Sequence, residues 1–272
     1  MKIKFYGTRG SIPVCEKDFQ KYGGNTTCLY VRMNNRIIII DAGTGIRSLG
    51  KELIDSEDSI YNEIYLAFSH FHWDHIQGFP FFLPAYDISR KLIISALGKN
   101  VESLDLKTIL GGQMKQEYFP IPMEQMGAKI EFLKVESQEY SGPDFHVKTT
   151  EHNHPGKAHS YRIESEGKSV VFCTDIEHTN GIDGRIIEIA RDADILIHDA
   201  QYTPAELEDK RNWGHSSYSQ AIEVAKRANV KKLILTHHDP DHNDQFLDEM
   251  EQECKDLFED VCLARELMEF EL

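Results

Sequence analysis

The sequence is poor in the features that would place it in several large classes. Its five cysteines (Cys15, Cys28, Cys173, Cys254, Cys262) form no CxxC pair and are odd in number. That spacing excludes a disulfide framework and a thiolate zinc signature, and it points to a reducing compartment. Long apolar runs are also missing. The longest purely aliphatic stretch, Ile37 to Ile40, is far short of the roughly 20 residues that a membrane-spanning helix needs. The opening residues, MKIKFYGTRG, lack the apolar segment of a secretory signal, so a cytoplasmic protein with no membrane partner is expected. There is no basic excess: 30 Lys and Arg face 45 Asp and Glu, a formal charge of −15. A protein that grips nucleic acid by neutralising phosphates carries the opposite balance, local patches apart.

Histidine is absent from the first 69 residues, yet thirteen follow. Imidazole is the commonest metal ligand among side chains, so this clustering is the informative presence. The strongest cluster is His70-x-His72-x-Asp74-His75, directly after the apolar run Glu63–Phe68. Four ligand-capable side chains on one tight loop can converge on a small volume, and neutral imidazoles with a carboxylate suit zinc, or manganese or iron of similar size. Four ligands on one loop are normally shared between two metals, so others are expected at further strand ends. His154 follows Phe145–Thr150, Asp175 follows Val170-Val-Phe-Cys-Thr, and His237 follows Lys232-Leu-Ile-Leu-Thr. Ligands at the ends of apolar strands are the usual site geometry of open α/β architectures.

The rest of the chain reads as two series of strands accompanied by helices. Ile3–Tyr6, Cys28–Arg32 and Arg36–Ile40 have strand composition, and Asn34-Asn35 suggests a hairpin. Ser216–Ala228 reads as a helix with serines at its start and an alanine- and valine-rich face. Asp244–Asp260 reads as a second, acidic helix, and Leu263–Leu272 as a closing strand. Residues 98–127 break the rhythm with Gly111-Gly112 and Phe119-Pro-Ile-Pro-Met. That composition suits a lid or insertion over a site, within what otherwise reads as a single domain spanning 1–272.

With these residues in place, the chain resembles the metallo-β-lactamase superfamily of metallohydrolases. His70-x-His72-x-Asp74-His75 matches the family's signature loop, and Asp41, closing Ile37–Ile40 before Gly43, matches an earlier aspartate that supports that loop. The resemblance implies an α/β fold, an αββα sandwich of two mixed β-sheets flanked by helices, with a dinuclear site between the sheets. It implies one metal held by His70, His72 and His154 and another by Asp74, His75 and His237. Asp175 would bridge them, together with a water or hydroxide that serves as nucleophile, so Asp74 counts both as ligand and as part of the catalytic machinery. Two divalent ions, zinc first among them, are the implied cofactors. Rivals lie close by: His152 beside His154, and His238 and His242 beside His237. His154 is favoured because His154-Pro-Gly-Lys-Ala-His-Ser-Tyr-Arg-Ile is similar to a segment of ribonuclease Z-like members, with Ser160 in place of a glycine.

The second half of the chain resembles the phosphodiesterase branch around ribonuclease Z. Asp194-Ile-Leu-Ile-His-Asp199, Trp213-Gly-His215-Ser-Ser and Leu233-Ile-Leu-Thr-His237 carry that likeness. It implies that His215, paired with Asp199, acts as general acid toward the leaving group, a role that suits a side chain titrating near neutrality. The likeness to tRNA processing itself is thinner. Ribonuclease Z enzymes carry a Gly- and Pro-rich basic arm, and residues 98–127 contain no arginine. The expected substrate is therefore a small phosphodiester, such as a cyclic nucleotide, rather than long RNA. A ribonuclease Z-like RNA endonuclease, or a thioester or lactone hydrolase of the glyoxalase II or lactonase kind, is the alternative. Relatives of this branch are often dimers, so a homodimer is a further expectation from the resemblance. Arg9, in Gly7-Thr-Arg-Gly-Ser11, and Asn25, in a second Gly-rich loop, have a substrate-facing reading and a plain turn reading. Asp239-Pro-Asp-His-Asn-Asp is read as a solvated acidic turn.

Overall fold

The computed structural model describes residues 1–34, 36–96, 103–133 and 137–272. The first half contains β1 (Lys2–Gly7), β2 (Cys28–Met33), β3 (Arg36–Ile40), α1 (Ile46–Asp55), β4 (Glu63–Ala67), α2 (Trp73–Ile76), β5 (Lys91–Ser95), α3 (Ser103–Gly112) and β6 (Lys129–Leu133). The second half begins with β7 (Glu139–Ser141), β8 (His146–His152), β9 (Ala158–Ser165), β10 (Lys168–Cys173), α4 (Gly184–Ala190) and β11 (Ile195–Asp199). It continues with α5 (Pro204–Asp209), α6 (Tyr218–Ala228), β12 (Lys232–Thr236), α7 (Asp244–Leu257), β13 (Val261–Leu263) and β14 (Glu269–Glu271). The expected closing strand over Leu263–Leu272 is thus two short strands, and they join different sheets. The hairpin expected at Asn34-Asn35 joins β2 to β3 with Met33 opposite Arg36. Asn35 itself lies outside the described residues, as do 98–102 of the expected lid.

Two seven-stranded sheets result, in the orders β14-β1-β2-β3-β4-β5-β6 and β13-β12-β11-β10-β9-β8-β7. Each is antiparallel over one part and parallel over the other, so both are mixed. The parallel strands β3, β5, β11 and β12 are Ile/Leu-rich runs because both of their faces are covered. One core lies between the sheets, where Ile3, Leu29, Ile38 and Ile40 meet Phe172, Ile195, Ile197 and Ile234. A second core packs α1 and α3 on the outer face of the first sheet through Leu49, Leu53, Leu106 and Leu110. A third packs α4, α6 and α7 on the outer face of the second through Ile186, Ala221, Ala225, Leu247 and Met250. The four layers are an αββα sandwich. Within 103–127, Leu106, Leu110, Met114 and Met123 are buried in the outer core, so this segment is anchored rather than free-standing. No helix among the described residues is long and apolar enough to cross a membrane.

The two sheets are tied at one end by the loop after β1. Gly10 donates its N–H to the His238 carbonyl at 3.0 Å, and His238 donates to the Thr8 carbonyl at 2.9 Å. Beneath them Arg9 is fully buried. Its guanidinium donates to the carbonyls of Gly23 at 2.8 Å, Asp239 at 3.0 Å and His242 at 2.7 Å. Burial pulls its pKa down to about 10 against the pull of Asp244, Asp239 and Glu266. Arg9 is therefore a structural cation, and the segment 239–242 is a turn folded over it. Replacing Arg9→Met would leave three carbonyls unpaired in the interior, at a cost of about 1–3 kcal/mol for each group that water cannot reach. The expected outcome is a clear fall in the urea midpoint with an unchanged far-UV circular dichroism spectrum at low denaturant; an unchanged midpoint would contradict this reading of Arg9.

Candidate metal centre

Six strands, β3, β4, β8, β10, β11 and β12, deliver a polar residue at or just past their last apolar one at this end of the sandwich. Asp41 follows β3, the loop His70–His75 follows β4, His154 lies two residues beyond β8, Asp175 two beyond β10, and His237 directly follows β12. Asp199 ends β11. Three of them, Asp41 (φ 64°), Asp175 (φ 58°) and His237 (φ 64°), are in the left-handed region. For a non-glycine residue this costs about 1 kcal/mol or more and persists where surrounding contacts fix it. The sharp bend aims each side chain back across the sheet ends instead of along the strand.

The side chains fall into two groups that share a border. Ligand-capable atoms of His70, His72 and His154 lie within 4.8 Å of one another, and so do those of Asp74, His75, Asp175 and His237. Asp175 is the border. Its Oδ1 lies 3.8 Å from His70 Nε2 and 3.7 Å from His154 Nε2, whereas its Oδ2 lies 3.1 Å from His75 Nε2 and 3.3 Å from His237 Nε2. The seven residues expected as ligands are thus brought together in the expected division. Their rivals are elsewhere. His152 is buried beneath, with Nε2 on the carbonyls of Thr174 and Asp175 and Nδ1 on the Ser160 hydroxyl at 2.9 Å. His238 faces the Ala264 carbonyl, and His242 faces Glu206 at 2.8 Å.

Four of the five histidines in the two groups, all but His72, are held from behind through the other ring nitrogen. His75 Nδ1 donates to Asp41 at 2.8 Å, His154 Nδ1 to the Gly214 carbonyl at 2.8 Å, and His237 Nδ1 to Gln201 Oε1 at 3.1 Å. His70 Nδ1 meets the Ser69 hydroxyl at 3.1 Å, and Ser69 in turn donates from both N–H and Oγ to Asp41. These partners turn the Nε2 atoms of all four rings to the interior, as in metal sites whose histidines are oriented from behind. Asp74 is oriented by the Ser11 N–H at 2.8 Å. Sequence reasoning found Asp41 but missed Gln201, Glu177 and Ser11. Glu177 accepts the N–H groups of Asn212 at 2.7 Å and Gly214 at 3.0 Å, fixing the loop whose carbonyl orients His154. Neither Gln201 nor Glu177 belongs to a ligand pattern; each is only a polar residue two positions beyond an expected site residue. Two glycines are needed for close approach. A Cβ on Gly10 would lie 2.4 Å from His237 Nδ1, and one on Gly214 (φ 92°) 2.3 Å from His154 Nδ1.

The charges fit a cationic guest. Burial pushes the pKa of His70 well down and lowers those of His72 and His154, so this trio is neutral imidazole, the form that ligates. In the other group burial opposes protonation, but Asp175, Asp74 and Asp41 outweigh it and hold His75 well above the ordinary value. Asp175 and Asp74 likewise lift His237 to about 9. Against burial, His75 and His237 hold Asp74 and Asp175 well below the usual carboxylate range. Protons thus take the place of a cation among these carboxylates. Two further observations show the fit. His70 Nε2 and Asp175 Oδ2 are buried without a hydrogen-bond partner, and ring nitrogens face each other at 3.1 Å (His154 and His72) and 3.4 Å (His237 and His75). Converging nitrogen and oxygen lone pairs of this kind are a divalent-metal donor set.

Asp199 and His215 stand beside the second group. Asp199 Oδ2 accepts from His215 Nδ1 at 2.9 Å and from the Asp175 N–H at 3.0 Å, while Oδ1 accepts from the Ser216 N–H at 2.8 Å. Burial works against this carboxylate, but His215 holds its pKa down. The His215 ring stacks on His237 at 5.0 Å and lines the mouth of the site with Ser11, Phe71, His72, Trp73, Asp74 and Asp175.

Fold and donor set define a hydrolase of the metallo-β-lactamase type. Residues 36–238 match the family model described as the beta-lactamase superfamily domain, and the chain belongs to that family. A solved structure with this fold, PqqB from Methylobacterium extorquens, is Zn²⁺-bound; it superposes with a TM-score of 0.72 at 12% identity, over 100% of each chain. The ribonuclease Z of Picrophilus torridus is 27% identical over 310 residues, covering 99% of this chain and 95% of that protein. Among solved structures, the short form of human tRNase Z superposes with a TM-score of 0.68 at 20% identity, over 100% of this chain and 99% of that one. A diphosphatase of the PhnP family superposes with a TM-score of 0.73 at 17% identity, over 100% and 97%.

Gln201 gives a test of the orientation from behind. Gln201→Leu removes the acceptor for His237 Nδ1–H and frees the ring to turn. Zinc affinity, measured by competition with a chromogenic chelator, should fall about 10- to 100-fold. Gln201→Glu, which keeps an acceptor at this place, should restore most of it. Equal losses in both variants would mean that Gln201 acts through packing alone.

Proposed function

We propose that the protein is a divalent-metal-dependent phosphodiesterase that acts on small phosphodiesters. The observation that carries this reading is the Asp199–His215 pair beside the two ligand groups. An imidazole whose Nδ1–H is committed to a buried carboxylate has a fixed ring plane, and its Nε2 is the nitrogen left for the mouth it lines. A phosphodiester's departing alkoxide is a poor leaving group and gains about 10²- to 10⁴-fold from a positioned proton donor. Asp199 stabilises the protonated ring, and His215 Nε2–H gives its proton to the leaving oxygen. A thioester or activated lactone has far less need of such a donor, which favours the phosphodiester reading over the alternative hydrolases.

His70, His72 and His154 would hold one ion, Asp74, His75 and His237 the other, with Asp175 between. Such a pair, when bound, lowers the pKa of water and neutralises charge on the phosphoryl oxygens. The nitrogen-rich first group and the mixed second group suit zinc, with manganese or iron as ions of similar preference.

Small substrates are favoured by charge and by length. The chain carries −15 overall, which opposes a long polyanion. Its alignment with the Picrophilus torridus ribonuclease Z runs over 310 positions against 272 residues here, so at least 38 positions of that alignment lack a counterpart in this chain. The name of that relative supports the second reading, an RNA endonuclease. Zinc-reconstituted protein should bind about two ions per chain by elemental analysis and cleave bis-(p-nitrophenyl) phosphate and cyclic nucleotides, with activity abolished by chelation. A precursor tRNA cut more efficiently than either would replace the small-substrate reading; metal binding with no phosphodiester cleavage at all would overturn the function. Within the reaction, His215→Ala should lower kcat/KM on an alkyl phosphodiester about 10²-fold or more and on an aryl diester about 10-fold or less. Equal losses on both would remove His215 from the proton-donor role.

A further inference from the structure

Beside the mouth runs a second cleft, of about 440 Å³, that the reaction described above does not use. It passes along His70 and His72 and is walled by Phe71, Ala96, Ile109 and Pro155, with Gly156 on its inner side. Phe71 and His72 line both the cleft and the mouth, so the two spaces are continuous around them. His215 lines the mouth but not the cleft. A phosphorus placed over Asp175 therefore has two exits for its substituents: one past His215 and one past Phe71 into the cleft. Since the proton donor serves the leaving oxygen, the cleft lies on the side of the substituent that stays on phosphorus.

The walls also say what that substituent is. Phe71 offers an aromatic face, and Ile109 and Pro155 offer flat aliphatic surface, which suits a planar ring. Part of the lining is polar. Lys157 and Glu151 form an ion pair at 3.0 Å among the lining, which also holds His159, Thr108 and Ser69. Apolar faces beside polar groups match the nucleobase kind of ring, stacked flat and read at its rim, and not a plain hydrocarbon. The volume is within the range of sites for one small molecule, so it has room for one nucleoside and not for a base-paired stem. Lys157 (φ 67°) and Gly156 (φ 84°) are both in the left-handed region. The tight turn they form carries the chain from His154 directly into the cleft wall, coupling the subsite to one metal-ligand position.

Building on the phosphodiesterase reading, we propose that this cleft is the subsite for a nucleoside-like substituent retained on phosphorus, gripped between Phe71, Ile109 and Pro155. The substrate class is then a phosphodiester of one ring-bearing nucleoside alcohol, and the product on this side is a nucleoside monophosphate or its analogue. The helix α3 supplies Ile109, so this helix is part of the specificity wall.

Two esters with the same p-nitrophenolate leaving group separate this subsite from the chemistry: thymidine 5′-(p-nitrophenyl phosphate) and methyl p-nitrophenyl phosphate. Wild-type, zinc-reconstituted protein should prefer the thymidine ester roughly 30-fold in kcat/KM, the worth of burying one ring face. Ile109→Trp, which fills the cleft, should collapse that ratio toward one, and binding of thymidine 5′-monophosphate by calorimetry should weaken in parallel. Equal rates on both esters in the wild type, or a preference and a monophosphate affinity that survive Ile109→Trp, would overturn the subsite. If neither ester is cleaved but the monophosphate binds in an Ile109-dependent way, the subsite stands and the phosphodiesterase reading falls.

Discussion

Asp175 is the residue on which the site is built. One carboxylate group faces four imidazoles at 3.1 to 3.8 Å, with an oxygen turned to each group of ligands. Its position is not set by its own side chain. The backbone N–H of Asp175 is held by Asp199, and the same Asp199 oxygen holds His215. A single buried carboxylate thus fixes the distance between the metal-binding groups and the candidate proton donor. Because Asp199 ends β11 and Asp175 follows its neighbour β10, that distance is inherited from the parallel register of two adjacent strands. Cys173 lies opposite His198, which leaves Asp175 to bend back over the end of the sheet.

The same logic extends outward. Imidazoles crowded together with converging lone pairs are unfavourable unless each is held from behind, and here each holder is part of a rigid element or is itself held. Asp41 is fixed by Ser69, Gln201 follows β11, and Glu177 pins the loop of Gly214. Arg9 draws the loop after β1 against the segment 238–242 and so ties the first sheet to the turn beside the candidate ligand His237. The left-handed backbone at Asp41, Asp175 and His237 is a cost carried by this framework, and it recurs at the three strand ends where the chain must turn its side chain sharply inward.

Much of this was legible in the sequence because the fold uses strong local signals. Near-continuous aliphatic strands each followed by a His or Asp gave an α/β domain with ligand-capable residues at its strand ends, and the family resemblance carried by those residues implied the four layers, the two mixed sheets and the grouping around Asp175. The family match over 36–238 agrees with that architecture. What escaped sequence reasoning depends on distant pairings. Gln201 and Glu177 look like ordinary polar residues until the fold sets them against His237 and the 212–214 turn. Arg9 had a substrate-facing reading open to it, because nothing local says that a cation will be buried among carbonyls from residues 23, 239 and 242. The last strand was read as one piece over Leu263–Leu272; its division follows distant pairings, of β13 with β12 in one sheet and of β14 with β1 in the other.

The acidity of the chain and the chemistry of its site act at different ranges. Screening in physiological salt confines an exposed charge to about 8 Å, so the −15 of the whole chain acts on a ligand in proportion to how much surface that ligand covers. A long polyanion would meet the repulsion of many carboxylates at once. A small phosphodiester meets mainly the lining of one mouth, where the carboxylates are already paired with imidazoles and would be offset by any bound divalent ions. The cleft past Phe71 strengthens this selection. Its apolar walls give binding energy to a single ring without drawing on charge at all. Under the proposed function, exclusion of long anions by the surface and retention of one ring by the cleft would select the same class of molecule by independent means.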